Sequence, residues 1–326
     1  MYAVHQSGKL EQNETLGVQF DIVRANWERG SDCAEVLQMQ KLFVVLLAIG
    51  PALLAQERKV EPTWLYRDVS ALREHDSDLT SNSCHYTPIF GEGDIESQLP
   101  QSVARFGELT VDAHGTCQAV EYPRQEELYF VRYGSGVLRY GDESHPFAQN
   151  DFTYVPPTVR HSVSNPSNQP LRLVVTSVRI PSDTPISQPA KLEVANLGEL
   201  KEQTVEGHPK SVLYKLLIGP RTAARDRLNA TYTVADFFLM DFAPGGTNFP
   251  HHHELAEEIY LVLDGEGQMA AGGGMDGVEG LHPAKSGDAY YFRPNCTVGF
   301  YNQYTPGAKA HILAVRAFVP QPKNSD

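Results

Sequence analysis

The chain has 326 residues, 41% of them hydrophobic, and a formal net charge of -13. That length predicts two domains, each large enough to close its own core. An acidic balance with no basic face argues against nucleic acid or an anionic membrane as a partner.

Near the N-terminus, residues 42–55 (LFVVLLAIGPALLA) form one apolar run preceded by Met39 and Lys41. The run is short for a membrane span and suits the apolar region of a signal peptide, with Ala55 fitting the last residue before cleavage. A buried core helix or a membrane anchor is the competing reading. Residues 1–38 show no period and no motif, which suggests that Met39 is the true start. The expectation is a non-mature N-terminus over 1–55 with its signal peptide at 39–55. The protein would then be secreted or periplasmic, and free of the membrane once the signal is removed.

From residue 100 onward short strands alternate with turn residues. FVRYG, GVLRYG, DFTYVPP and LRLVVTSVRI are rich in Val, Tyr, Phe and Leu and bounded by Gly, Pro, Asn and Asp. The texture returns in ADFFLMDFAPGG, EIYLVLDGEG, DAYYFRP and AHILAVRAFVP. Even spacing of short strands predicts an all-β sandwich or barrel in each set. A Pro/Ser-rich stretch from Ile180 to Pro189 and a polar segment to Lys210 read as a linker with short helices. SVLYKLLIGP reads as a strand entering the second set. The predicted units are 56–185, a linker at 186–210, and 211–326. An exported chain can hold a disulfide; Cys84 and Cys117, both ahead of the first set's main strands, are the better pair, with Cys296 left as the odd thiol. Asn229 and Asn295 are glycosylation acceptors only in a eukaryotic secretory path.

The two strand sets are an internal repeat. EELYFVRYGSGVLRYG aligns with EEIYLVLDGEGQMAAG at an offset of 131, pairing Glu127 with Glu258. NDFTYVPP aligns with GDAYYFRP at an offset of 137, pairing Tyr154 with Tyr291 and, further on, Asn165 with Asn302. The extra six residues sit in AAGGGMDGVEG, an enlarged hairpin loop.

Within the second copy, Gly245, His251, His253, Glu258 and Gly265 follow one another with five, one, four and six residues between them. On a strand, residues two apart share a face, so His251 and His253 project together and His252 points away. Glu258 opens the next strand and reaches the same point. A bare HHH run is as readily a solvated stretch, but the Gly and Glu spacing favours a metal site. Two imidazoles and one carboxylate suit one divalent metal, Fe(II) or Mn(II) first, with Zn, Ni or Cu open.

This spacing resembles the first motif of the cupin superfamily. The end of the second cupin motif is matched in the first repeat by Pro156, His161 and Asn165. The resemblance covers both repeats, roughly 100–320, and implies a bicupin: two tandem double-stranded β-helix (jelly-roll-like) barrels. In the family the metal sits on two His and a Glu from motif one and a His from motif two. This chain departs from that pattern twice. In the second barrel the motif-two His position falls on Val298. In the first, the motif-one His positions fall on Val120 and Tyr122, while Glu127 and His161 remain. The expectation is that the first barrel holds no metal, with Glu127 and His161 as a buried pair, and serves to pack on the second barrel or to complete a homo-oligomer.

An open two-His-one-carboxylate set is the arrangement of non-haem Fe(II) oxygenases, and it also suits carbonyl polarisation or water activation. The expected function is therefore a metal-dependent enzyme on a small organic molecule, dioxygenase-type first. A hydrolase or lyase with an architecture like ureidoglycine aminohydrolase, or a non-catalytic metal- or sugar-binding or storage bicupin, are the alternatives. The missing fourth ligand argues against oxalate decarboxylation. Tyr260, Cys296 and His311 are candidate catalytic groups, each with ordinary packing as the competing reading. No phosphate loop or dinucleotide fingerprint occurs, so no organic cofactor is expected.

Overall fold

The strand and turn pattern yields nineteen strands among the described residues of a computed structural model. Those residues are 62–94, 99–187, 191–273 and 279–321; the predicted signal peptide and the Met39 start lie outside them. The strands are β1 (Trp64–Asp68), β2 (Cys84–Gly91), β3 (Val103–Val111), β4 (Gln125–Tyr133), β5 (Ser135–Tyr140), β6 (Glu143–Ala148), β7 (Asp151–Val155), β8 (His161–Ser164), β9 (Leu171–Arg179) and β10 (Val194–Asn196). They continue as β11 (Val212–Pro220), β12 (Leu228–Thr231), β13 (Val234–Phe242), β14 (Ala256–Asp264), β15 (Glu266–Gly272), β16 (Glu279–Lys285), β17 (Asp288–Phe292), β18 (Thr297–Asn302) and β19 (Ala310–Phe318). Helical structure among the described residues is limited to two 3-10 turns, at 69–71 and at 197–199 in the linker.

Each barrel is a large sheet closed by a three-stranded one. The first combines β10-β7-β4-β9-β3-β2 with β6-β5-β8; the second combines β1-β17-β14-β19-β13-β11-β12 with β16-β15-β18. The sequence units do not coincide with these barrels. β1 precedes the first barrel yet pairs antiparallel with β17 of the second, Leu65 opposite Tyr291. β10 lies in the linker before the second barrel yet pairs with β7 of the first, Ala195 opposite Phe152. Each barrel thus lends its entering strand to the other, and a cut ahead of β10 would strip one strand from each large sheet.

Strand alternation builds three cores. On β4, Leu128 and Phe130 face the other barrel while Tyr129 and Val131 face inward. On β14, Ile259 and Leu261 face across while Tyr260 and Val262 face inward. These central strands are buried on both faces, so they read as continuous apolar runs. The same alternation separates the two Glu-Glu doublets. Glu126 reaches across to accept the backbone N–H groups of Tyr232 (2.7 Å), Thr233 (2.8 Å) and Val234 (2.9 Å), and the Tyr154 hydroxyl at 3.1 Å. Glu257 does the same for Gln101 (2.8 Å), Ser102 (2.8 Å) and Val103 (2.6 Å), and takes the Tyr291 hydroxyl at 2.8 Å. The barrels are clasped by two equivalent carboxylates at the starts of β3 and β13.

The matched asparagines also have a structural use. The Asn165 amide donates to the carbonyls of Val111, Asp112 and Gln169, and that of Asn302 to Phe242, Ala243 and Ala308. Cys84 and Cys117 are joined in a disulfide, as expected, and Cys296 is a buried thiol outside that bridge. The enlarged hairpin loop between β15 and β16 falls largely outside the described residues.

Candidate metal centre

The segment carrying the histidines is not a regular strand. It is an extended loop held against β18 by two bridges, Thr247 to Tyr301 and His251 to Val298; at the second, His251 N–H donates to Val298 O (3.0 Å) and Val298 N–H to His251 O (2.8 Å). A Cβ on Gly299 would stand 2.9 Å from Pro250 Cα, so glycine is needed for this close approach. Asn248 anchors the segment's start by accepting the Phe300 N–H at 2.8 Å. The inward projection of His251 and His253 therefore comes from tertiary anchoring more than from strand geometry.

One ligand-type atom each from His251, His253 and Glu258 lies within 4.8 Å of the others. His251 Nδ1 is 2.8 Å from Phe249 O. A carbonyl only accepts, so Nδ1 carries the proton and Nε2 presents a lone pair. The rings of His251 and His253 are 4.9 Å apart between centroids. Glu258, on β14, is 2% exposed, and its Oε2 has no aligned hydrogen bond although His253 Nε2 stands 3.2 Å away. Burial alone would raise this carboxyl; the nearby His253, with Arg316 and His251, holds it below its ordinary value. Burial keeps the His251 imidazole below its usual pKa against the pull of Glu258. An orphaned buried carboxylate oxygen facing two imidazoles is the donor set that a divalent ion satisfies.

The ligand set opens on a cavity of about 50 Å³ whose wall includes Tyr214, Tyr260, His208, Asp236 and Arg316. Tyr260 accepts from the Asn248 amide at 3.0 Å. Tyr214 is 4% exposed and its hydroxyl has no hydrogen-bond partner. His208, which follows a turn through Gly207 (φ 83°), donates from Nδ1 to Asn248 O (2.9 Å) and stands 5.0 Å from the His251 ring. Arg316 places its guanidinium 3.1 and 3.2 Å from the two ring nitrogens of His253 and pairs with Asp236, which also holds Arg225.

Of the sequence candidates, Tyr260 lines the cavity and two others do not. Cys296 is buried in the barrel core, its thiol donating to Gly272 O at 3.3 Å. His311 faces outward between Asp241 (3.5 Å) and Asp264 (3.6 Å), because β19 alternates and turns Ile312 and Ala314 into the core instead. His252 is exposed. Sequence reasoning missed His208, Tyr214 and Arg316. Only Arg316 carried a signal, as a charge inside the apolar run AHILAVRAFV.

A cupin domain model matches residues 108–177 and again 238–315. The chain is a bicupin. No curated protein sequence matches it, and solved structures resemble it in fold at low identity. The Escherichia coli protein Ylba is 15% identical, with a TM-score of 0.59 over 83% of this chain and 98% of that one. A putative glyoxylate-induced protein from Pseudomonas aeruginosa is 13% identical, with a TM-score of 0.64 over 82% of this chain and 94% of that one. Oxalate decarboxylase OxdC of Bacillus subtilis, a variant with two residues deleted, is 12% identical, with a TM-score of 0.57 over 78% of this chain and 77% of that one.

Backbone pairing shows what became of the usual ligand positions in this bicupin. Val120 bridges His161 in the first barrel as His251 bridges Val298 in the second. The motif-one His and motif-two His positions are therefore each kept in one barrel and lost in the other. In the first barrel His161 Nε2 lies 2.5 Å from Glu127 Oε2, both buried. Burial pulls the His161 pKa down, but the hydrogen bond and charge of Glu127 outweigh it and leave it raised. Glu127 Oε1 faces Arg105 at 3.7 Å, and that guanidinium also pairs with Asp78 (2.7 Å) and Glu92 (2.9 Å). The first barrel's interior carboxylate thus already faces a protein cation.

Proposed function

We propose that the second barrel binds one divalent metal, Fe(II) or Mn(II) first, on His251, His253 and Glu258, and that the protein is a metal-dependent enzyme of dioxygenase type acting on a small organic molecule. The observation that carries this reading is Glu258. Its carboxylate is buried and incompletely partnered, opposite an imidazole whose free nitrogen is fixed by a backbone carbonyl. The bound ion would supply Lewis acidity, and open positions where Val298 replaces a fourth ligand.

The chain's own residues supply the rest. Tyr260 is a hydroxyl donor fixed by Asn248. His208, with its proton held on Nδ1 by Asn248 O, offers Nε2 as an acceptor at the cavity wall. The cavity's size admits only a small reacting group. Metal analysis of purified protein, followed by an oxygen-uptake screen on catechols, flavonols and small keto acids, tests the reading. Protein with no bound metal and no affinity for added Fe, Mn or Zn would overturn it.

We further propose that the chain is exported and forms a homo-oligomer. The Cys84–Cys117 disulfide supports an oxidising compartment. Among the described residues β1 is an edge strand bearing exposed Tyr66, and a sheet edge invites a second copy. N-terminal sequencing of secreted protein and light scattering on the purified chain check these points.

A further inference from the structure

Resting on the metal reading above, we infer that the second barrel takes a monocarboxylic acid with an apolar body, its acid group held in the inner cavity by Arg316 and its body lying in the cleft outside. Four observations converge on this.

The first is the donor balance of the cavity. Arg316 offers N–H groups, Tyr214 a buried hydroxyl with no partner, and Tyr260 a hydroxyl whose acceptor side is taken by Asn248. Of the acceptors on the wall, Glu258 is committed to the ion and Asp236 to Arg316 and Arg225, leaving His208 Nε2. The donors outnumber it and suit a ligand group that only accepts.

The second is charge. Arg225 pairs with Asp226 at 3.2 Å and with Asp236, which also holds Arg316. These two cations and two anions cancel formally. An ion with two positive charges on neutral histidines and the Glu258 carboxylate leaves one positive charge over, which a monoanion neutralises.

The third is size. The inner cavity, at about 50 Å³, holds a group of a few heavy atoms. An open cleft of about 680 Å³ lies directly outside, and Arg225, Asp236, His253 and Arg316 belong to both walls. Arg316 is 25% exposed at this boundary, where an entering acid meets it first.

The fourth is the outer cleft itself, which carries two exposed apolar side chains, Leu255 (52% exposed) and Phe318 (47%). Exposed apolar groups beside the Arg316 guanidinium fit a ligand with an acid head and a hydrocarbon body.

The test is calorimetric titration of Mn(II)-loaded and of metal-free protein with acetate, phenylacetate and the neutral phenylacetamide. Phenylacetate is expected to bind roughly 10- to 100-fold more tightly than the amide, as a charge-assisted pair predicts, and more tightly than acetate. Its binding alters the Mn(II) EPR spectrum. Arg316→Gln abolishes the preference for the acid and leaves the amide unaffected. Arg316→Lys, which keeps the charge beside Asp236, retains part of the preference and controls for misfolding. Leu255→Ser with Phe318→Ser removes the advantage of phenylacetate over acetate. Equal binding of acid and amide by both forms, or an acid preference that survives Arg316→Gln, overturns the inference. If the wild-type chain takes up no Mn(II), the metal reading fails, and the metal-free titration still decides whether Arg316 selects the acid.

Discussion

Replacing Glu126 by alanine is expected to loosen the contact between the barrels at a calculable cost. The carboxylate accepts three backbone N–H groups at the start of β13; those of Thr233 and Val234 are fully buried, and that of Tyr232 is partly accessible to water. Each buried donor left unpaired costs roughly 1–3 kcal/mol, so Glu126→Ala should lower stability by about 2–6 kcal/mol. Glu126→Gln keeps the shape and one accepting oxygen but turns an N–H group toward donors, so it should fall between alanine and wild type. Glu257→Ala should cost about the same, because Ser102 and Val103 hold the equivalent positions. The two sites share no hydrogen-bond partner, so the double variant should lose the sum. Guanidinium unfolding of metal-free protein measures this, with exposed Glu254→Ala as control. A second unfolding transition would show the barrels parting before either melts. Alanine variants within about 0.5 kcal/mol of wild type would refute the clasp.

Other predictions concern the two barrel interiors and the disulfide. Glu258→Gln and His253→Ala should each abolish Mn(II) uptake as measured by mass spectrometry of bound metal. Val298→His places an imidazole where His161 stands in the first barrel, within reach of the equivalent Glu258, and should tighten Mn(II) binding measurably. The raised pKa of His161 stabilises the fold below the unfolded value of about 6.5, and that contribution is lost as pH rises through the higher folded value. Wild type should therefore lose stability as pH rises above about 6.5 more steeply than His161→Gln, as parallel denaturation series would show. Opening the Cys84–Cys117 bridge, whose sequence separation is 33, should cost roughly 3–4 kcal/mol by loop-closure entropy; Cys84→Ala with Cys117→Ala tests it in the same assay.

Much of the architecture was legible because it is local. Short alternating strands, turn residues and the offset repeat are written in neighbouring positions, and they predicted two barrels correctly. The ligand spacing of His251, His253 and Glu258 is equally local, and the structure brings those three together. The Glu-Glu doublets mark the limit. Adjacent carboxylates at 126–127 and 257–258 are plain in the sequence, but only strand pairing decides that the first of each clasps the other barrel and the second faces its own interior.

The remaining features depend on contacts between residues far apart in the chain, which no spacing records. β1 and β10 cross to the opposite barrel because the free edges of β17 and β7 lie there to pair with them. Arg105 reaches Glu127 from β3, and His208 reaches the cavity from the linker through a turn. The sequence by itself determined the repeat, the barrels and the three candidate ligands, because periodicity and motif spacing act over a few residues. Tertiary structure alone decided that Arg316 and Tyr214 face those ligands while His311 and Cys296 do not, because side-chain direction on a closed barrel follows from register across the sheet.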